Sequence, residues 1–485
     1  MNRSLLIRAG AIFALGLGLR LWLIHANPIV FGGDSILRLV NRDRILLSYQ
    51  LPLLQSLIHL VSLCTDNLLA FRYLMAAIGS AAGVGFLFLA ERVLHRENAF
   101  IAAALLATNP FLVELSIVPY QEVLSLACLF FAAAFFLQAR TAAASAFLGL
   151  ACLTRYEAWA ACPIAAYTYW EGKGRSWEAA GKALLLFGWA PLLWLAAHQG
   201  LSSTGTYVVE GAISPARLFR YAYLGWITLK NVPPPVWFLV LAGMLSIWRG
   251  RRWREGPVKA MAAYTGLFLL AILFSAHGES PDPERFVTAR EAHIPIAAVV
   301  LLAGFAPVRH SRLMKATALA GLLWGMWNAH AFVRRDTSAP ALQLSYRLAN
   351  QLDATVTAQD QVILLTKPVQ ISMYLEKAGR ASGEQGLQSA GRVLNSMDTS
   401  PPDFQRTIIH SHLPKQSFVS LASRVLAGYM EVTDWPRQTR WVARWSDFTP
   451  SNLAEESLSR HLDALASIKV FRAGELSVSV YDLKQ

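Results

Sequence analysis

AGAIFALGLGLRLWLIHANPIVFGGDS, residues 9–35, decides how the rest of this chain is read. Ala9 to Ala26 is an apolar run close to the ~20 residues that cross a bilayer as a helix. A proline and a glycine pair follow, and they set a carboxylate, Asp34, at the membrane surface immediately after that span. The run does not read as a cleavable leader, because no small-residue cleavage site precedes a soluble domain and further apolar runs follow.

Working outward, the pattern recurs: Leu74–Ala90, Phe100–Glu114, Val123–Leu137, Ala142–Leu153, Ala158–Tyr169, Ala183–Ala197, Val236–Trp248, Met261–Ala276, Ile294–Ala306 and Ala316–Phe332. The expectation is a polytopic α-helical membrane protein with about 11 transmembrane helices, several of them short and covered at their ends by neighbours. Composition agrees. The 485 residues are 54% hydrophobic and 15% charged, with a mean hydropathy of +0.37, where a soluble protein carries about 25% charged residues. Abundant Trp, Tyr and Phe exclude a disordered chain. The four cysteines, Cys64, Cys128, Cys152 and Cys162, have no CxxC spacing, so they form neither a disulfide framework nor a zinc site. The net charge of +13 sits between apolar runs and not in a nucleic-acid motif. It therefore reports membrane topology, with no nucleic-acid partner.

With a cytoplasmic amino terminus (Arg3, Arg8), the inside loops are ERVLHREN (91–98), the turn at Arg140, EGKGRSWEAAGK (171–182), RGRRWREGPVK (249–259) and PVRHSRLMK (307–315). Each carries Lys or Arg, whereas the outside loop NPFLVELSIVPYQ (109–121) carries neither, as the positive-inside rule requires. Residues 1–333 read as the membrane domain, with a long first outside loop from 27 to 71. From 334 to 485 polarity rises and no run spans a bilayer. There DQVILLT reads as a buried strand, KPVQISMYLEKAG as a helix with a Gly stop and LSVSVYDL as a closing strand, the pattern of a soluble extracytoplasmic α/β domain.

Ionisable residues at a membrane edge are costly and so are functional candidates. The outside face collects Asp34, Glu122 in PYQE, Arg72, Arg155 and Glu157 in LTRYEAW, and Arg285 and Arg290 in PERFVTAREAHIP. Carboxylates beside arginines suit transfer from a lipid phosphate, a carboxylate taking a proton and guanidinium groups pairing with phosphate oxygens. Each residue also has a plainer reading. Asp34 caps a helix starting at Ser35; Glu122 answers a helix dipole; Arg155 and Glu157 form a buried pair. Arg72, Arg38, Arg42 and Arg44 snorkel at the interface. For a divalent metal the candidates are Glu122, His277 and His293, although a lone His is more often simply hydrogen-bonded.

These segments resemble the GT-C glycosyltransferases, in particular the branch with the protein O-mannosyltransferases and the lipid A aminoarabinose transferase (glycosyltransferase family 39-type). GGDS is similar to the family's acid in the first outside loop, with Asp34 as that acid. The loop through SYQLPLLQSLIHL resembles its amphipathic helices. FRYLMAAIGSAAGV resembles the Arg-led second span, placing Arg72, and VPYQEVLSLACLFFAAAFFL the second acidic loop, placing Glu122. LTRYEAW is similar to a segment of many bacterial and archaeal members, REAHIPIAAVVLLAG to the late Arg-Pro-Leu stretch with Arg290, and DQVILLTKPVQISMYLEKAGR to the outside α/β domain. The first acid is followed by Ser where protein mannosyltransferases commonly have Glu. The second loop has one Glu where oligosaccharyltransferases have paired acids, so protein mannosylation is not implied and the case for a metal is weaker.

The resemblance implies a GT-C fold and single-sugar transfer, with inversion, from a polyprenyl-phosphate donor. The acceptor is a lipid, glycan or protein on the outer side of the inner (plasma) membrane. Asp34 is implied as base, with Glu122 as second acid. Arg72, Arg155 and Arg290 are implied as phosphate ligands, with Glu157 and Arg285 supporting. The rival classes are a transporter or lipid flippase, which repeats and midplane charges would favour, and a structural assembly subunit. Neither an internal repeat nor a midplane cluster of charges is visible in the sequence.

Overall fold

The computed structural model describes residues 3–27, 51–65, 67–201, 215–274 and 289–337, with single residues between 35 and 45. Beyond 337 it describes the strand segments and a few residues between 462 and 467. The chain divides into two compact units, Met1–Pro28 with Arg42–Arg334, and Ile29–Asn41 with Arg335–Gln485.

The described residues of the first unit form helices and the turns between them. Its helices are α1 (Arg3–Ala26), α2 (Pro52–Ser62), α3 (Leu68–Val93), α4 (Arg96–Ala107), α5 (Pro110–Glu114), α6 (Gln121–Phe136), α7 (Thr141–Cys152) and α8 (Ala161–Gly172). They continue as α9 (Trp177–Leu201), α10 (Pro215–Asn231), α11 (Pro234–Arg249), α12 (Gly256–Phe274), α13 (His293–Gly304) and α14 (Arg312–Thr337). The starts are legible in the sequence. Asn67 caps α3 by accepting from the Leu69 amide at 3.0 Å. Asn109 caps α5 by accepting from Leu112 at 3.1 Å, with Pro110 in the first turn where no N–H is needed.

Every run read as a span holds a helix, but helix lengths differ from run lengths. Among the described residues three helices are long and apolar enough to cross a bilayer alone, α1, α3 and α9. A fourth crossing is counted if α10 and α11 are one span bent by 111°. That bend falls at Val232-Pro233-Pro234-Pro235, where each proline removes an N–H and disfavours helix at the residue before it. The 12-residue helices α7, α8 and α13 are each only ~18 Å long against a ~30 Å hydrocarbon core. The run Phe100–Glu114 is broken at Thr108-Asn109-Pro110 into α4 and α5. Counting apolar runs measures composition, and composition does not reveal where a helix stops. Helix α10, in what the sequence suggested was an outside loop, went unread because it is amphipathic.

Helix α3 is the pivot, packing on α1, α4 and α6; α6 packs on α7, α7 on α9, and α11 on α13. Close approaches need glycine. A Cβ at Gly149 on α7 would overlap the Trp189 indole of α9, and one at Gly243 on α11 would overlap the Leu302 carbonyl of α13. Arg20, buried in the middle of α1, is met by protein oxygen. Its guanidinium donates to the Ser116 hydroxyl at 2.6 Å and to the carbonyls of Gly16 and Ala107 at 3.0 Å. The Ala107 carbonyl is one that the α4–α5 break leaves without a helical donor.

The two ends of this bundle differ in charge. At one end Arg8 pairs with Glu91 and donates to the Arg96 carbonyl at 3.3 Å, Arg252 donates to the Val93 carbonyl at 2.8 Å, and Arg309 donates to His95 Nε2 at 2.8 Å. Four of the basic segments therefore share one end. At the other end of α3, Arg72 donates to the carbonyls of Asn27 (2.8 Å) and Ile117 (2.9 Å). The spacing between those ends along α3, Arg72 to Val93, is ~32 Å, about one hydrocarbon thickness. The chain is an integral membrane protein.

The second unit contains a five-stranded sheet of β1 (Gln361–Leu365), β2 (Leu394–Asn395), β3 (Thr439–Trp445), β4 (Lys469–Ala473) and β5 (Leu476–Asp482), ordered β2-β1-β3-β5-β4. β1 runs parallel to β2 and β3, while β3–β5 and β4–β5 are antiparallel, the latter a hairpin closing at Ala473 and Leu476. DQVILLT contains β1 and LSVSVYDL contains β5; KPVQISMYLEKAG lies outside the described residues.

Gly243→Val drives a side chain into the α13 backbone and costs about 1–3 kcal/mol, read as a lowered Tm of the detergent-solubilised protein. Gly225→Ala, with nothing within 4 Å of its Cβ, leaves the Tm within a degree or so or raises it.

Candidate functional site: a buried carboxylate–arginine cluster

Cys152 ends α7, and Arg155 then takes an extended conformation (φ −145°, ψ 142°) before the chain tightens into a short 3₁₀ turn, Tyr156–Ala160. The turn is pinned by the Trp159 indole, which donates to the Cys152 carbonyl at 3.0 Å. This kink aims Arg155 sideways. Its Nε donates to both Glu157 oxygens at 3.1 and 3.0 Å, its Nη2 to Glu157 Oε1, and its Nη1 to Glu122 Oε1 at 2.5 Å. Glu122, in the first turn of α6, is fully buried. Arg290, from the 3₁₀ turn Ala289–Ala292, reaches the same Glu122 oxygen at 3.5 Å and lies over the Tyr120 ring at 4.7 Å.

Two more groups complete the cluster. Glu291 is 7% exposed and interacts electrostatically with Glu157, Arg155, Glu122 and Arg290. His293 is fully buried, with Nδ1 2.8 Å from the Arg290 carbonyl. A carbonyl only accepts, so Nδ1 carries the proton and Nε2 is left as an acceptor. Among the described residues, Glu122 Oε2, Glu291 Oε2, His293 Nε2 and the Tyr264 hydroxyl are buried without a hydrogen-bond partner.

The electrostatics set Glu157 and Glu291 apart. Burial alone would raise Glu157, but Arg155 outweighs it and holds the carboxyl at about 2. Burial lowers Arg155, but Glu157 and Glu122 more than reverse this and keep the guanidinium above its usual range. Glu291 is pushed up to about 8, by burial first and then by the Glu157 and Glu122 charges, with Arg155 and Arg290 opposing. Below that pH it is a neutral acid able to donate a hydrogen bond.

Of the residues expected from the sequence, the structure brings together Glu122, Arg155, Glu157, Arg290 and His293. Arg72 is fully buried, clamping the carbonyls at the end of α1 and before α6. Asp34, Arg285 and His277 lie outside the described residues. Among the described residues no three His, Cys, Asp or Glu side chains gather as metal ligands. Glu122 Oε1 faces two guanidiniums. Glu291, Tyr120 and Tyr264 were not read from the sequence. Glu291 was recoverable by the same rule as Arg290, being an acid at the edge of an apolar run.

No protein-family model and no curated protein matches the sequence. Solved structures do. ArnT from Cupriavidus metallidurans bound to undecaprenyl phosphate superposes with a TM-score of 0.58 at 12% identity, over 98% of this chain and 97% of that one. Its apo state gives 0.59 over the same shares. The apo Archaeoglobus fulgidus oligosaccharyltransferase gives 0.52 at 12% identity, over 90% of this chain and 69% of that one. This chain shares the fold of those structures. Within that fold, Glu122 and its partners occupy the end of the bundle away from the basic loops.

Linkage sets the sign of a pH effect at Glu291. A carboxyl raised to about 8 in the folded state favours folding fully below its unfolded value of about 4.3, and that contribution is lost as pH rises towards 8. Glu291→Gln keeps a neutral donor at every pH. The variant is therefore expected to match the parent in Tm near pH 5 and to exceed it increasingly up to pH 9. The difference reaches roughly 4 kcal/mol, read by thermal melts across that range.

Proposed function

We propose that this protein is an integral membrane glycosyltransferase that moves a single sugar from a polyprenyl-phosphate donor to an acceptor on the extracytoplasmic face. The supporting observation is a GT-C fold across nearly the whole chain, shared with a protein crystallised with undecaprenyl phosphate. A buried cluster of carboxyls and arginines at the end opposite the basic loops adds chemistry suited to it. The positive-inside rule makes that end extracytoplasmic.

In this reading Asp34, which follows α1 directly in sequence, takes the proton of an acceptor hydroxyl or amine. The acceptor's lone pair forms a bond to the anomeric carbon. The bond from that carbon to the phosphate oxygen breaks with inversion, and polyprenyl phosphate leaves with the electron pair. Arg290, with a side chain 23% exposed against 10% for Arg155, is the cluster guanidinium more open to the donor phosphate. Arg155 holds Glu122 and Glu157 in place, and Arg72 holds the α1 end from which the Asp34 loop departs.

Purified protein offered radiolabelled polyprenyl-phosphate monosaccharides and a cell-derived acceptor fraction is expected to consume one donor. Asp34→Asn should lower that turnover at least about a hundredfold while leaving the Tm unchanged. Full transfer by a folded Asp34→Asn protein would sink the assignment of the base. Topology has its own readout. Cys64 is exposed, just beyond α2, whereas Cys128 and Cys152 are buried. An impermeant maleimide added to right-side-out spheroplasts should label the protein, and Cys64→Ser should remove most of the label. Labelling that requires inverted vesicles would reverse the orientation.

A further inference from the structure

We infer that Glu291, His293 and the second oxygen of Glu122 form a hydroxyl-binding subsite that receives the sugar ring of the donor, and that its phosphate lies elsewhere. This rests on the glycosyl-transfer reading above and names which residues meet which part of the donor.

The argument begins with unmet hydrogen bonds. Among the described residues Glu122 Oε2, Glu291 Oε2 and His293 Nε2 have no partner, and their residues are 0%, 7% and 0% exposed. The Tyr264 hydroxyl, on α12 and interacting electrostatically with Glu157 and Arg155, is a fourth such group. Buried polar atoms are satisfied almost without exception in native proteins, and each orphan is costly. Several around one ion-paired cluster mark a place completed by an occupant.

The polarity of the orphans selects that occupant. His293 Nε2 is an acceptor, because Nδ1 donates to the Arg290 carbonyl. Glu122 Oε2 belongs to a carboxylate whose other oxygen is bound to Arg155 and faces Arg290, so it too accepts. The carboxyl of Glu291 is a donor when neutral and the Tyr264 hydroxyl serves either way. An occupant must therefore bring at least two O–H or N–H donors and also accept. A polyhydroxylated ring does both. A phosphate brings acceptors to the acceptor atoms of Glu122 and His293, and finds its donor instead on the more open side of Arg290. A polyprenyl tail satisfies none of them.

The test compares two ligands on purified full-length protein in detergent: undecaprenyl phosphate, and the undecaprenyl-phosphate monosaccharide that the parent binds best in a panel of such esters. The measured quantity is the ratio of their Kd values. Glu291→Leu and His293→Phe should each cut the preference for the sugar ester about tenfold, leaving the Kd for undecaprenyl phosphate within about twofold, which also shows that the variants are folded. Glu291→Gln, which still donates from its amide, should keep the preference. If both apolar variants retain the parent's ratio, or weaken both ligands equally, the subsite is wrong and the donor reading survives. If the parent binds neither ligand, the donor reading falls and takes the subsite with it.

Discussion

A guanidinium withdrawn from water must be met by protein oxygen, and in this bundle Arg155 is the one on which the site depends. It lies between helices of twelve residues each, too short to cross a bilayer alone, and its bonds run to Glu157 two residues on and to Glu122 on a different helix. Removing one partner of such a buried set leaves uncompensated charge, at a cost of about 3–5 kcal/mol, although the intact set adds little net stability. Its value is geometric. The first turn of α6 and the 153–160 segment are held at a fixed distance, and the 289–293 segment docks onto them through Arg290.

The same constraint explains the polar residues elsewhere in the bundle. Broken helices expose carbonyls that lipid cannot satisfy. Arg20 answers the break after α4, and Asn98 donates to the carbonyls of Gly304 and Ala306 at 2.9 and 2.7 Å where α13 ends. Asn109 reaches the Asn231 carbonyl at 3.1 Å, where α10 turns sharply into α11. Each of these side chains satisfies a carbonyl at an irregularity in the helices. A fold built this way tolerates wide exchange among Leu, Ile, Val, Phe and Ala on its apolar faces, so the architecture outlasts recognisable sequence.

Within the cluster, Glu157 and Glu291 are chemically distinct because their surroundings differ. Glu157 is held ionised by a three-bonded contact to Arg155. Glu291 sits beyond direct reach of a described guanidinium and is driven towards its neutral form by burial and by the charges of its fellow acids. One segment thus supplies anchored negative charge, and another supplies a neutral donor beside an acceptor imidazole. That division suits recognition of an uncharged, hydroxyl-bearing group better than of an anion, and it leaves Arg290 at the more open side.

The sequence by itself determined the solvent. Apolar runs, low charge and the distribution of Lys and Arg among loops are local and additive, so they declare a polytopic membrane protein and separate its two ends without any contact being known. It also pointed to Glu122, Arg155, Glu157, Arg290 and His293, because an ionisable residue at a membrane edge stands out against its neighbours. Only the tertiary structure decided the pairings. Arg155 meets Glu122 across 33 positions, and Arg290 reaches Glu122 from a segment more distant still. No local pattern encodes which charge will neutralise which. The lengths of the helices, the clamp at Arg72 and the neutral state of Glu291 likewise depend on packing, since burial and the field of neighbouring groups exist only once the chain has folded.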